Sequence, residues 1–383
     1  VSTISNFENV TLSGNGINYV VGSATANIIT IGTGDDYIDA GAGNDIIIAT
    51  SGAIVTTADV LLGGSGTDAL HITNVAGANA AVDDQVGIES IVMVDGIAAA
   101  DSTVTITYTT ANTTALTIDA TAMDVGEDFT LVASDAEVDG VLTVLAGGGT
   151  NSITTGDGAD IITGGYGVDT IVSGAGADTI TPGFGADIIT SGAGADSIIL
   201  TEDVAAIDII ITTTGAAYTA ALMDSLTAAV VTTGGDNVDI DLSDLEAMTG
   251  ITDMTLAGVN TSLAAENIGV ATNVTGAYDM ATAATSVWFN VSGTYAASTD
   301  LETALELGGD RALTSNGAFA AADAFLVTYS DGTDSYLATV STTAGVANDV
   351  TFPVFDLVVT NILKIVGLTD VTTIHSDFFD IIA

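Results

Sequence analysis

No cysteine occurs in the 383 residues, so no disulfide staples the fold and no thiolate is on hand as nucleophile or zinc ligand. Lysine and arginine number only 2, Arg311 and Lys364, against 49 aspartates and glutamates, for a formal net charge of -47. That balance removes electrostatic attraction to phosphate, and with it nucleic acid and anionic lipid as partners. The 2 histidines, His71 and His375, are far apart in the chain, and no HExxH pair exists. His71 does lie close to Asp68 and Ser65, but all three fall inside one short repeat unit that gives them another explanation. Nothing selects a pair of carboxylates for glycoside cleavage, so the reading is that the chain is not an enzyme. No apolar run reaches the roughly 18 residues of a membrane-spanning helix. The opening VSTISNFENV lacks the basic-then-apolar layout of an export signal. Because the chain starts at Val1 rather than methionine, a missing N-terminal part is expected to carry an outer-surface anchor or another activity.

What remains is apolar, glycine-rich and periodic. Hydrophobic residues make up 48% and mean hydropathy is +0.55, ample for a packed core despite the charge. From Ala146 to Ile199 six nonapeptides follow in phase: AGGGTNSIT, TGDGADIIT, GGYGVDTIV, SGAGADTIT, PGFGADIIT and SGAGADSII. Each has glycine at its second and fourth positions, Asp or Asn at its sixth and isoleucine at its eighth. Glycine admits backbone torsions that other residues resist, so each unit can open with a tight loop whose carbonyls turn inward. Ile153, Ile162, Ile171, Ile180, Ile189 and Ile198 then begin short strands, and stacking the units lines them into one core that no unit buries alone. A looser block precedes it. GSATANIIT, IGTGDDYID and AGAGNDIII fill 22–48, five residues break the phase, and IVTTADVLL and GGSGTDALH fill 54–71. There Ile29, Ile38, Ile47, Leu61 and Leu70 hold the core position, and Asn27, Asp36, Asp45, Asp59 and Asp68 the sixth. A Gly/Asp-rich linker has no reason to keep isoleucine in phase.

These two blocks resemble the RTX family, whose GGxGxDxUx nonapeptides wind into a parallel β-roll filled with calcium. The resemblance implies an all-β fold: a parallel β-roll or β-helix solenoid, followed by a β-rich C-terminal domain with one or two short helices. It also implies two units per turn, so that loops eighteen residues apart lie above one another and hold calcium through sixth-position side chains and loop carbonyls. The implied pairs are Asn151 with Asp169, Asp160 with Asp178, Asp169 with Asp187 and Asp178 with Asp196. The first block offers three more among Asn27, Asp36, Asp45, Asp59 and Asp68, with the interruption leaving their partners open. The carbonyl-bearing loop glycines are Gly32, Gly34, Gly41 and Gly43 in the first block. In the second they are Gly156, Gly158, Gly165, Gly167, Gly174, Gly176, Gly183, Gly185, Gly192 and Gly194. About seven sites result, and an oxygen-only donor set on glycine loops suits Ca2+ better than zinc, copper or magnesium.

Four segments are expected: a first repeat block with a leading strand over 1–71, a β-rich spacer stacked on the roll over 72–145, the second block over 146–200, and a C-terminal domain over 201–383. TVTITYT, ALTIDAT, FTLV and VLTVLAG in the spacer alternate threonine with aliphatic residues, as strands do. NFENVTLSG and GIESIVMVDG share an apolar residue, Glu, one residue and then a strand. With LTIDAT, they are similar to what precedes the repeats in bacterial RTX surface-layer (S-layer) proteins. An acidic cluster at Asp135, Glu137 and Asp139 reads as a solvated turn. Past 201, DNVDIDLSDLEAMTGITDMTLAG reads as strand, turn or helix, and strand. DLETALEL at 300–307 has helical spacing, with Asp300 as cap and Gly308 as stop, and AFLVTYSDGTDSYLATV is a hairpin around Asp331-Gly332. The acidic, aromatic end SDFFDIIA resembles the C-terminal cap and type I secretion signal of exported RTX proteins. The leading functional reading is a secreted, structural, self-associating subunit of a cell-surface layer. The alternatives are the calcium-folding secretion region of a larger RTX hydrolase or toxin, and an RTX adhesin or matrix protein.

Overall fold

The computed structural model describes residues 2–50, 55–73, 79–81, 86–94, 102–107, 115–133, 140–200, 208–212, 224–227, 237–241, 253–254, 272–274, 278–279, 288–305, 313–314, 323–342, 357–369, 371 and 379–382. They belong to two units, Val1–Ile189 and Thr190–Ala383. The expected turn or helix within 242–250, Gly308, Arg311, His375 and the cluster Asp135, Glu137 and Asp139 lie outside the described residues.

In the first unit the strands are β1 (Ser2–Ser5), β2 (Asn9–Thr11), β3 (Asn18–Val21), β4 (Ile28–Thr30), β5 (Tyr37–Asp39), β6 (Ile46–Ala49), β7 (Val60–Leu62), β8 (Ala69–Thr73) and β9 (Asn79–Ala81). They continue as β10 (Ser90–Val94), β11 (Ser102–Thr107), β12 (Leu116–Asp119), β13 (Glu127–Val132), β14 (Leu142–Leu145), β15 (Ser152–Thr154), β16 (Ile161–Tyr166), β17 (Thr170–Val172) and β18 (Thr179–Phe184). Even-numbered strands pair in order from β2 to β18, every pair parallel. Odd-numbered strands pair from β1 to β7 and from β9 to β17, again all parallel. Parallel neighbours cannot be joined by a two-residue turn, so the chain reaches each next strand by crossing to the opposite face and back. The result is an all-β parallel β-solenoid, as the repeats imply.

Its core follows from the strand period of two. Ile29, Ile47, Leu70, Ile91, Ile118, Val144, Ile162 and Ile180 are register partners on the even face. None exposes more than 1% of its surface. Val20, Ile38 and Leu61, and then Leu131, Ile153 and Ile171, form the same columns on the odd face. The flanking Thr, Ser and Asp of each strand point outward and are partly exposed, which gives the short strands their alternating burial.

The five-residue interruption leaves these columns intact. Ile38 pairs with Leu61 and Ile47 with Leu70, so the register is the same on both sides of the interruption. A shift by an odd number would have turned each apolar side chain outward. Strands of 72–145 join the same two faces through longer turns: Ile91 pairs with Leu70 before it and Ile118 after it, although no nonapeptide lies between.

In the second unit, Ser197–Ile199, Asp224–Thr227 and Leu357–Val366 pair in parallel, as do Ile209–Thr212, Asn237–Asp241 and Phe379–Ile382. The hairpin around Asp331-Gly332 forms between Asp323–Ser330 and Ser335–Thr342, and Leu357–Val366 adds a third antiparallel strand. The Asp331 carboxylate accepts the Thr333 and Asp334 amides at 2.8 Å each, and Lys364 pairs with Asp334 at 2.7 Å. One helix occurs among the described residues, Ser298–Leu305, and buries Leu301, Ala304 and Leu305 against Val291, Val327 and Val340. It begins two residues earlier than the expected cap. Asp300 therefore sits in the first turn, where its carboxylate accepts the Ala297 amide at 3.1 Å.

Because Ile171 is fully buried in the odd-face column, Ile171→Ala should cost about 2–5 kcal/mol, read as a shift in urea midpoint at saturating calcium. Thr170→Ala, on the outer surface one residue away, should change the midpoint by less than about 0.5 kcal/mol.

Candidate metal centre

Each sixth-position residue stands where a glycine loop enters a strand, so stacking the strands stacks the carboxylates as well. The backbone N–H of Asn151 donates to Asp169 Oδ1, that of Asp160 to Asp178 Oδ1 and that of Asp169 to Asp187 Oδ1, each at 2.8 Å and each across eighteen residues. In the first block Asn27 donates to Asp45 across 18 residues, and Asp36 to Asp59 and Asp45 to Asp68 across 23, all at 2.7 Å. Across the interruption, Asp36 therefore faces Asp59 and Asp45 faces Asp68. Asp178 and Asp196 have one member in each unit, and that pair stays an expectation.

What the sequence did not disclose is the kind of contact. One carboxylate oxygen of each turn closes onto the strand-entering amide of the turn before. The column also extends beyond the units read from the sequence: the Asn18 amide and side chain both donate to Asp36 Oδ1, at 3.1 and 2.7 Å. Leu142 donates to Asp160 at 2.8 Å and Phe129 to Asn151 at 3.1 Å. Asn18 is the sixth residue of SGNGINYVV at 13–21, in phase with the unit that follows, so the signal that could have found it is the repeat itself.

The second oxygen is the chemically telling one. Oδ2 of Asp45, Asp68, Asp160 and Asp169 is buried and accepts no hydrogen bond. A Cβ at Gly164 would strike the Pro182 carbonyl oxygen and lie 2.6 Å from Asp169 Oδ2, so an oxygen from each of two successive turns faces the same hydrogen-only position. Asn151 differs. Its side-chain nitrogen donates to the carbonyls of Gly149 and Gly164 at 3.2 and 3.0 Å, supplying the positive end that a carboxylate lacks.

The loop glycines serve both conformation and space. Gly185 takes φ 147°, and a Cβ there would collide with the Gly167 carbonyl oxygen. Gly158 lies outside the left-handed region, yet a Cβ would strike the Gly140 carbonyl and lie 2.7 Å from Asp160 Oδ1. Gly41, Gly43, Gly165, Gly167, Gly174, Gly176, Gly183, Gly192 and Gly194 also have positive φ, whereas Gly32, Gly34 and Gly156 do not.

Burial that hydrogen bonds only partly offset raises the proton affinity of these carboxyls. Desolvation pushes Asp45, Asp59, Asp68 and Asp160 above the ordinary range. Asp169 is pushed up to about 8, first by desolvation and further by the charge of Asp187, against the lowering effect of the Asn151 amide. A gap lined by carboxylate and carbonyl oxygens, with acceptors in excess and no donors to spare, has the chemistry of a hard divalent cation. Among the described residues no three His, Cys, Asp or Glu side chains converge, so such an ion must draw on main-chain carbonyls.

The sign of the shift fixes a pH dependence. With chelator present, a carboxyl raised in the fold favours the protonated folded state. That contribution is full below about pH 4, where the unfolded chain also titrates, and is lost as pH rises towards 8. In chelator the strand signal in circular dichroism should therefore fall between pH 5 and pH 8, and Asp169→Asn should flatten the fall; a signal that climbs with pH would contradict the assignment.

The family model of the RTX calcium-binding nonapeptide repeat (4 copies) matches residues 12–47, 145–180 and 174–200. No curated protein and no solved structure matches the chain. The matched segments are those in which the carboxylate columns and glycine loops stack, and the chain thus carries RTX calcium-binding nonapeptide repeats wound as a β-solenoid.

Proposed function

We propose that the protein is a structural subunit of a bacterial surface layer or similar extracellular assembly, which folds and associates outside the cell as calcium becomes available. The observation that carries the reading is the column of buried sixth-position carboxylates, in which the second oxygen of Asp45, Asp68, Asp160 and Asp169 accepts no hydrogen bond. In each gap Asp36 with Asp59, Asp45 with Asp68, Asp160 with Asp178 and Asp169 with Asp187 would hold the ion together with the carbonyls of the adjoining glycine loops. Asn27 with Asp45, Asn151 with Asp169 and Asp178 with Asp196 complete the proposed set. The aspartate pairs depend on it most, since Asn151 meets part of the demand with its own amide hydrogens.

When bound, calcium neutralises the paired carboxylates and joins successive turns. With dissociation constants of about 10⁻⁴ M and about millimolar ion, each site stabilises the fold by about 1.4 kcal/mol. About seven sites sum to nearly 10 kcal/mol, as large as the net stability of a whole domain. In a cytosol poor in calcium that contribution vanishes, which suits a chain exported from its C-terminal end. On this reading the last residues of the chain carry the type I secretion signal.

The surface supports association without salt bridges. Of the two basic residues, Lys364 is already paired with Asp334. Contacts between copies would rest on further ions, hydrogen bonds or apolar patches. Tyr166, 59% exposed, stacks on Phe184 at 5.2 Å beside Val168, which is 50% exposed. Tyr19 and Tyr37 stack likewise at 4.6 Å.

Electron microscopy and light scattering of the purified chain test the assignment. An ordered two-dimensional array at millimolar calcium, dispersed by chelator and impaired by Tyr166→Ser with Phe184→Ser, is the expected result. Monodisperse monomers across the calcium range would instead favour a folding module of a secreted hydrolase or toxin.

A further inference from the structure

The column of capping carboxylates does not stop where the nonapeptides do. After GGSGTD (63–68) the chain next enters the even face through Val86-Gly87-Ile88-Glu89, a segment with neither the spacing nor the aspartate of the repeat and outside the segments that match the family. Its contacts nevertheless reproduce those of a repeat turn. The Asp68 backbone N–H donates to Glu89 Oε2 at 2.7 Å, as the Asp45 N–H donates to Asp68 Oδ1 at 2.7 Å. The Glu89 and Ser90 amides return hydrogen bonds to the Asp68 carbonyl at 3.1 and 3.2 Å, and Gly63 donates to the Val86 carbonyl at 2.9 Å.

The oxygens are arranged as in the repeats. A Cβ at Gly63 would collide with the Gly87 carbonyl oxygen and lie 2.8 Å from Asp68 Oδ2, the same convergence that Gly164 shows with Pro182 and Asp169. Asp68 is only 1% exposed, and its Oδ2 accepts no hydrogen bond. In a repeat four residues separate the first position from the sixth, as between Gly164 and Asp169, but only Ile88 separates Gly87 from Glu89. Glutamate's additional methylene compensates for the missing loop and brings its carboxylate to the amide an aspartate would cap.

The geometry points to a further calcium site between the 63–68 and 86–89 loops, with Asp68 Oδ2 and the Gly87 carbonyl as ligands and Glu89 as the acidic residue that closes it. It rests on the reading of the nonapeptide loops as calcium sites and extends that reading one turn into the segment between the blocks. Here Asp68 serves two gaps: its Oδ1 caps the turn below and its Oδ2 faces the turn above. The carbonyl contribution explains why a glycine precedes Ile88, since Gly87 takes φ 68° to aim that oxygen at Gly63.

Flow dialysis of radioactive calcium on the full-length chain tests the site. Glu89→Gln keeps an oxygen for the Asp68 amide but removes the charge. It should bind one calcium ion fewer than the unaltered chain, or bind that ion about tenfold more weakly, with an unchanged circular dichroism spectrum. Equal stoichiometry and affinity in the two chains would overturn this site alone, whereas an unaltered chain that binds no calcium would overturn the nonapeptide reading with it. Should Glu89→Gln fail to fold, crystals of the unaltered chain grown with terbium decide the matter. An anomalous peak about 2.3–2.6 Å from both Asp68 Oδ2 and the Gly87 oxygen is expected. Peaks in the nonapeptide loops with none between 63–68 and 86–89 would contradict it.

Discussion

The structure depends on one arrangement repeated along the solenoid: a buried carboxylate with one oxygen on the backbone amide of the turn before and, at Asp45, Asp68, Asp160 and Asp169, a second oxygen that accepts no hydrogen bond. The first oxygen sets the register, because it ties the entrance of each strand to that of its neighbour. The second creates a demand for positive charge that the chain, with 2 basic residues against 49 acidic ones, cannot meet itself. Apolar columns favour stacking wherever calcium is scarce or plentiful. The carboxylate columns oppose stacking until a proton or cation reaches them. Folding is thereby coupled to the ionic surroundings by the residues that specify the fold.

The same constraint accounts for the glycine pattern. A side chain in these loops would occupy the space into which the adjoining turn directs its carbonyl oxygens, as at Gly164 and Gly185. Removing the Cβ therefore serves close approach of backbone to backbone as much as unusual torsion, which is why Gly158 is needed without a left-handed φ. Threonine and serine on the outer faces leave the charge concentrated in the loops. The exposed Tyr166 and Phe184 pair is an exception, placed between loop glycines where two turns coincide.

Much of this was legible in the amino-acid pattern. Glycine, aspartate and isoleucine in fixed phase disclose stacked units and their core positions, and the resemblance to the RTX repeats implied the sixth-position pairs eighteen residues apart. The partners of Asp36 and Asp45 were not, because an insertion can either shift a ladder or leave it, and only the structure distinguishes Asp59 and Asp68 as their caps. Glu89 escaped for a related reason. Its position before a strand was visible, but a capping role depends on the shortened loop at Gly87 and Ile88, which no nonapeptide template contains. The stacking of 91 between 70 and 118 was equally hidden, since turns of unequal length leave no period to read.

Far-ultraviolet circular dichroism of the chelator-treated chain, followed during calcium titration at neutral pH, tests the central claim most directly. The account predicts little strand signal at the start and a cooperative rise as calcium passes from about 10⁻⁴ to about 10⁻³ M. A full strand spectrum in chelator, unchanged by added calcium, would contradict it.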